Sequence, residues 1–264
     1  MSDVKDYLSK ISEKVGDTYR MQTEAFSPVE YPLLLDLFEK NKFKTVLDIG
    51  TGEGNWISRF ASNLRNVHFT AIDADNKLLE KARTTQAREN IDFQNAMFNN
   101  EYSTKCYDCI LARFSMEHVH DPDVFVKEAY KRLNSNGMFV VTEWFIDIYH
   151  NSNSIWAKWR EKENEIYLNN GGHPRLALAI PSMFKKHGFT EIKSSYHCIS
   201  PTTVNHESFY NLTIVYAILY NKWFPNIFTD EFTKQLIDYC NESLEKETYT
   251  DDYYLVTQTM GLKK

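Results

Sequence analysis

The sequence predicts an α/β protein built on a mostly parallel sheet with helices on both faces. Three observations carry this. From Phe43 onward, short apolar runs alternate with helical stretches, the order that strands joined by crossover helices produce. A glycine-rich turn, Gly50-Thr51-Gly52-Glu53-Gly54, joins the first apolar run to the first helical stretch after it. Two acids, Asp48 in the first run and Asp73 at the end of the second, stand where such sheets carry their ligands, at the carboxyl ends of the strands.

Strands are expected near 44–49, 67–72, 91–94, 107–112 and 137–145, with helices near 55–64, 76–88 and 122–134. The first strand is short and buried, containing Val46-Leu47-Asp48-Ile49. Its glycines force a tight turn, and glycine suits a backbone that must approach a ligand closely, at a helix N-terminus whose N–H groups form a cradle. The spacing is G-x-G-x-G, with Asn55 where a dinucleotide fingerprint would carry its third glycine. Asp48 would repel a pyrophosphate and suits a cationic amino-acid end. Asp73, about twenty residues past the loop, is placed to take ribose hydroxyls. Asp75 is read instead as the cap of the next helix. Asp48 and Asp73 together ask for a nucleoside with an ammonium group and no diphosphate, which describes S-adenosyl-L-methionine.

The run from Val46 to Glu143 resembles the class I S-adenosylmethionine-dependent methyltransferases of the small-molecule, UbiE-like type. The segments that carry the resemblance are VLDIGTGEG, FTAIDADNKLLEKAR, YDCILARFSMEHVHDP and AYKRLNSNGMFVVTEW, in that order. The resemblance implies a Rossmann-like, seven-stranded, mostly parallel sheet whose last strand is antiparallel. It implies cofactor contacts at Asp48, Gly50, Thr51, Gly52, Gly54, Asp73 and Ala74. The usual acid after the third strand is missing from Phe93-Gln94-Asn95-Ala96-Met97, so adenine contacts fall to Asn95, Ala96 or Met97. The segment from Ala112 and Arg113 to His120 is expected to offer a carbonyl to the methionine ammonium and to face the transferred methyl.

Residues 1–42 are expected to be helical and to act as a lid, with Val4, Leu8, Ile11 and Val15 on one face and a helix from Pro32 to Lys40. Within them Tyr19 and Gln22 are candidate contacts to cofactor or acceptor, or else members of an ordinary packed helix. Residues 43–264 then form the methyltransferase domain, with acceptor-pocket inserts at about 151–180 and 203–247. Past Glu143, helices are expected at 154–168, from Pro181 to a stop at Gly188, at 207–223 and at 230–247. Strands are expected at 189–199 and 253–260.

Methyl transfer from a sulfonium is an in-line displacement that depends chiefly on alignment, worth roughly 7–11 kcal/mol. A base adds about 10²–10⁴-fold where the nucleophile must lose a proton. Candidate catalytic residues are His118 and Glu143. His173 and Arg175, in a glycine-rich loop, are candidate substrate contacts, Arg175 for a carboxylate. A structural hydrogen bond to backbone is the plain alternative at His118 and His173, a solvated side chain is that at Arg175, and His120 is read as a turn residue.

A net charge of −6, with no Lys/Arg-rich run, gives phosphate-backbone binding little support. No nucleic-acid partner is expected, and the favoured acceptor is a small molecule attacked through N or O. No apolar run spans a membrane and the N-terminus does not read as a signal peptide, so a cytoplasmic location is expected. Cys106 and Cys109 form a C-x-x-C without a second ligand pair, so reduced thiols are expected and no metal site. Methylation of RNA or protein, and cofactor binding without turnover, remain the alternatives. The sequence leaves the oligomeric state open.

Overall fold

The computed structural model describes residues 18–145, 154–246 and 252–264. Val4, Leu8, Ile11 and Val15 lie outside the described residues. The elements are α1 (Thr18–Asn41), β1 (Thr45–Ile49), α2 (Ile57–Asn63), β2 (His68–Asp73), α3 (Asn76–Thr85), β3 (Ile91–Asn95), β4 (Tyr107–Arg113), α4 (Pro122–Lys131), β5 (Leu133–Phe145), α5 (Ile155–Asn169), α6 (Leu176–Lys186), β6 (Thr190–Ile199), α7 (His206–Trp223), α8 (Asp230–Lys246) and β7 (Tyr254–Leu262). They match the expected elements in order and kind. β5 begins four residues earlier than expected, at Leu133, and α3 ends three residues earlier, at Thr85. Two larger differences have physical reasons. The helix expected from Pro32 is part of one long α1 that runs through Pro28 and Pro32. The helix expected to open at Pro181 begins at Leu176, because the apolar stripe Leu176, Ala177, Ile180 and Phe184 starts before the proline.

The sheet order is β3-β2-β1-β4-β5-β7-β6. β1 pairs in parallel with β2 and with β4, β2 with β3, and β4 with β5. Among the described strands β7 is the antiparallel one, joined to β5 where Asn136 N–H donates to the Lys263 carbonyl at 2.7 Å and Lys263 N–H donates to the Gly137 carbonyl at 2.9 Å. The strand order reverses direction between β1 and β4, the switch point at which open α/β sheets hold ligands.

The chain forms two compact units. One comprises Tyr31–Phe145, Gly171–His197 and Val256–Lys264. Here alternate strand residues feed two cores. Val46, Cys109, Leu111 and Val140 pack with Leu34, Phe38, Trp56, Phe60 and Leu79 on one face. Leu47, Ile110, Ala112, Phe139 and Val141 pack with Phe125, Val126, Ile180 and Phe184 on the other. The two-residue period of a strand therefore places helices on both sides of the sheet. Asp75 caps α3 as expected, accepting Lys77 N–H at 2.8 Å, and Asp121 caps α4 in the same way, accepting Val124 N–H at 3.0 Å.

The other unit comprises the described residues within Met1–Glu30, Ile146–Asn170 and Cys198–Leu255. It is helical, with Phe26, Trp156, Trp159, Phe209, Tyr210 and Tyr254 almost fully buried. Its interior also holds the Arg160–Glu163 ion pair. The Tyr220 hydroxyl donates to Glu163 at 3.2 Å, and the Arg160 guanidinium lies 5.1 Å from the centre of the Tyr254 ring. Tyr210 and Tyr239 both donate to the buried Asp252, at 2.9 and 2.6 Å. No described helix is long and apolar enough to cross a membrane.

Candidate active site

The glycine loop leaves β1 with Gly50, Gly52 and Gly54 all at positive φ (73°, 57° and 71°), a region that side chains with a Cβ rarely occupy. Two of these glycines are also required by the protein's own packing. A Cβ on Gly50 would stand 2.7 Å from Ser115 Cβ, and one on Gly54 would stand 2.8 Å from the Phe93 ring. The N–H groups are turned inward, which corrects the expectation of a free backbone cradle. Gly50 and Thr51 N–H donate to the Ile72 carbonyl at 2.9 and 3.0 Å, and Gly54 N–H donates to Thr51 at 3.0 Å. Gly52 N–H donates to Asp73 Oδ2 at 2.8 Å. The loop therefore offers an anion little, and its charged groups are carboxylates. Beyond it, Gln86 donates to Asn55 at 3.0 Å and accepts from Ser58 at 2.9 Å, fixing the start of α2 against α3.

Asp48 lies buried under the loop. Burial pushes its carboxyl up to about 6, the Thr51 hydroxyl and the Arg113 guanidinium pull against this, and the charge of Asp73 adds to it. Asp73, at the carboxyl end of β2, also accepts Asp75 N–H through Oδ1 at 2.9 Å. Asn95 ties the same corner, its amide donating to the carbonyls of Asp73 and Ala74 at 3.1 and 3.0 Å. Ala96 N–H donates to the Asp73 carbonyl at 3.0 Å. Ala74 and Met97 are exposed on this rim, Met97 to 66%.

At the end of β4 the Arg113 guanidinium lies between two rings, 4.7 Å from Trp56 and 4.3 Å from Phe114. Phe114 takes a left-handed φ of 51° and stacks on Trp144 at 4.5 Å. Strained non-glycine residues cluster at functional sites. Ser115 donates through Oγ to the Ile49 carbonyl at 3.2 Å. Glu143, fully buried at the end of β5, accepts the N–H groups of Ser115 at 3.2 Å and Met116 at 2.7 Å on one oxygen. Burial raises its carboxyl to about 8 against the pull of these amides, the Glu117 amide and Arg113. Sequence reading placed Phe114 and Ser115 in the segment expected to face the methyl without giving either a role of its own, and it gave Trp56 and Trp144 no role.

The remaining candidates fall in different places. His118 ends the short helical turn Met116–His118 and is 64% exposed, with Nε2 3.5 Å from the buried Glu117. Arg175 is exposed and His173 half-buried, both just before α6; the His173 carbonyl accepts Leu176 N–H at 2.9 Å. Gln22 and Tyr19 lie in the helical unit, where the Gln22 amide donates to the Tyr216 hydroxyl at 2.9 Å and Tyr19 is 45% exposed. Cys109 is buried in β4 and Cys106 is exposed. Among the described residues, no group of three or more His, Cys, Asp or Glu is placed to hold a metal ion.

A sheet of this order, with an acid under its glycine loop and a second acid at the end of β2, defines the fold of the class I S-adenosylmethionine-dependent methyltransferases. The chain belongs to the methyltransferase-domain family, whose model matches residues 19–194. Over 150 residues it is 25% identical to the ubiquinone/menaquinone biosynthesis C-methyltransferase UbiE of Rickettsia felis, covering 52% of this chain and 60% of that one. Over 101 residues it is 38% identical to a ubiquinone biosynthesis O-methyltransferase of Pelagibacter ubique, covering 37% of this chain and 41% of the relative. These matches span less than two thirds of either relative. Among solved structures, phosphoethanolamine N-methyltransferase 2 of Haemonchus contortus in complex with S-adenosyl-L-methionine superimposes with a TM-score of 0.60 at 16% identity, over 98% of this chain and 60% of that one.

Proposed function

We propose that the protein transfers a methyl group from S-adenosylmethionine to a small-molecule N or O nucleophile by in-line displacement. The observation that carries the reading is the loop itself. Its N–H groups at Gly50, Thr51, Gly52 and Gly54 are spent within the protein, while Asp48 and Asp73 stand beside it. That arrangement fits a cationic nucleoside without phosphates better than a dinucleotide. Asp48 and the carbonyls after β4 would meet the ammonium, Asp73 the ribose, and the Asn95–Met97 corner the adenine. Membership of the methyltransferase-domain family supports the same cofactor.

The relatives include a C-methyltransferase and an O-methyltransferase of ubiquinone biosynthesis, and both act on small molecules by name. We assign acceptor choice to the inserted segments at 151–180 and 203–247, where Tyr216 and Tyr220 are half-buried while Trp156, Trp159 and Phe209 are spent in the unit's own core. Aromatic side chains left partly accessible in this way supply contact area to a flat or apolar acceptor. His118 remains the exposed candidate for proton exchange. The test has two arms. Calorimetry should show binding of S-adenosylhomocysteine and none of NAD. Label from methyl-labelled cofactor, incubated with fractionated cell extract, should enter the small-molecule fraction. NAD binding without S-adenosylhomocysteine binding would reject the cofactor, and label confined to RNA or protein would reject the acceptor class.

A further inference from the structure

We infer that Glu143 is a positioning residue that braces the Phe114–Met116 turn, and through Ser115 the glycine loop, instead of exchanging a proton with the acceptor. The inference rests on the reading of that loop as the cofactor site.

Three links run in series. Glu143 takes the Ser115 and Met116 N–H groups on one oxygen. Ser115 then reaches β1, its hydroxyl donating to the Ile49 carbonyl at 3.2 Å. Its Cβ occupies the space that a Cβ on Gly50 would need, 2.7 Å away. The turn being braced is the strained one, with Phe114 at φ 51°. Such a backbone persists only where its surroundings over-determine it. Here Phe114 N–H donates to the Thr142 carbonyl at 2.8 Å, the Phe114 ring stacks on Trp144, and Glu143 secures the next two amides. Thr142, Glu143 and Trp144 are consecutive on β5, so one strand end grips three consecutive residues of the turn.

The geometry argues against a direct chemical role. A proton-exchanging group must come within hydrogen-bond reach of the acceptor or of one intervening water. Glu143 is 0% exposed, and one of its oxygens is committed to backbone amides. A neutral carboxyl still braces the turn, since its carbonyl oxygen accepts both amides, though less strongly than a carboxylate would. The raised carboxyl fits this role.

The test compares wild type, Glu143→Gln, Glu143→Ala and Ser115→Ala, using S-adenosylhomocysteine as the probe in calorimetry, with amide hydrogen exchange at Ser115 and Met116. Glutamine keeps the accepting oxygen, so its affinity should stay within about threefold of wild type. Alanine at 143 leaves two amides without their acceptor and should weaken binding about tenfold or more, with faster exchange at Met116. Ser115→Ala should weaken binding in the same direction. The inference is overturned if Glu143→Ala binds as tightly as wild type, or if Glu143→Gln is as impaired as Glu143→Ala. Should the alanine variant not fold, wild-type affinity in Ser115→Ala overturns it alone. Absence of binding by wild type would instead remove the cofactor reading, and this inference with it.

Discussion

Asp73 reaches back from the end of β2 to close the glycine loop, its Oδ2 accepting Gly52 N–H at 2.8 Å while Oδ1 accepts Asp75 N–H at 2.9 Å. The acid assigned to the ribose therefore also shapes the loop proposed to hold the rest of the ligand. Asp73→Ala should lose cofactor affinity on both counts. Asp75→Ala removes only the cap of α3 and should cost about 1 kcal/mol of stability with little loss of affinity. Calorimetry and thermal unfolding of the two variants separate these effects; equal losses of affinity would reject the assignment.

Asp48 should make cofactor affinity depend on pH. Its carboxyl is raised to about 6, so the carboxylate proposed to face the ammonium is present above that pH and is lost as pH falls through it. Affinity for S-adenosylmethionine should drop between pH 7 and 5 in wild type. Asp48→Asn should show weak binding with a flat profile. A pH slope that persists in the asparagine variant would place the responsible group elsewhere.

Glu143 gives a prediction for stability. An ordinary glutamate releases its proton near 4.5, whereas the folded protein holds this one to about 8. Between those values unfolding releases a proton, so stability is full below about 4.5 and falls as pH rises towards 8. Glu143→Gln lacks this term. Melting temperatures of variant and wild type should draw apart from pH 5 to 8, in favour of the variant. Parallel curves would show that the carboxyl ionises normally.

Gly54 meets Phe93 directly. Gly54→Ala puts a Cβ at φ 71° and 2.8 Å from the ring, and should cost about 1–3 kcal/mol. Phe93→Leu in the same chain should recover part of the loss by freeing space. A double-mutant cycle read by denaturant unfolding gives the coupling, and strict additivity would mean that the ring moves aside freely.

In the helical unit, Arg160 and Glu163 are both buried. Removing one partner of such a pair leaves a charge stranded, at a cost of about 3–5 kcal/mol, whereas replacing both with apolar residues is often neutral. Glu163→Leu should therefore destabilise far more than Arg160→Met with Glu163→Leu. Equal losses in chemical denaturation would show that the remaining charge finds water.

The parts of this architecture that were legible in the sequence were those governed by local rules. Alternating strands and helices follow from two periodicities, and the cap at Asp75 from a side chain that satisfies an orphan N–H two residues on. The glycine loop announces itself because three positive-φ residues in five leave few alternatives. What the sequence hid depends on pairs far apart in the chain. Glu143 and Met116, 27 positions apart, meet only because β4 and β5 are neighbours. The inward turn of the loop amides needs Ile72 and Asp73 to be in place. The grip of Trp56 and Phe114 on Arg113 likewise exists only once the switch point is assembled. Within single elements, Pro32 and Pro181 read as helix starts, but packing carries α1 and α6 through them.

The position of β7 between β5 and β6 has a consequence for biosynthesis. Both flanking strands leave the ribosome before the one that separates them, with α7 and α8 emerging in between. Until Tyr254–Leu262 arrives, β5 presents an open edge, including the end that carries Thr142, Glu143 and Trp144. An unpaired edge of this kind is a template for intermolecular pairing. The nascent chain is therefore exposed to misassembly for the time needed to translate residues 200–262. Slowing translation over that stretch, for example with rare codons, should lower the soluble yield more than the same delay placed before residue 133.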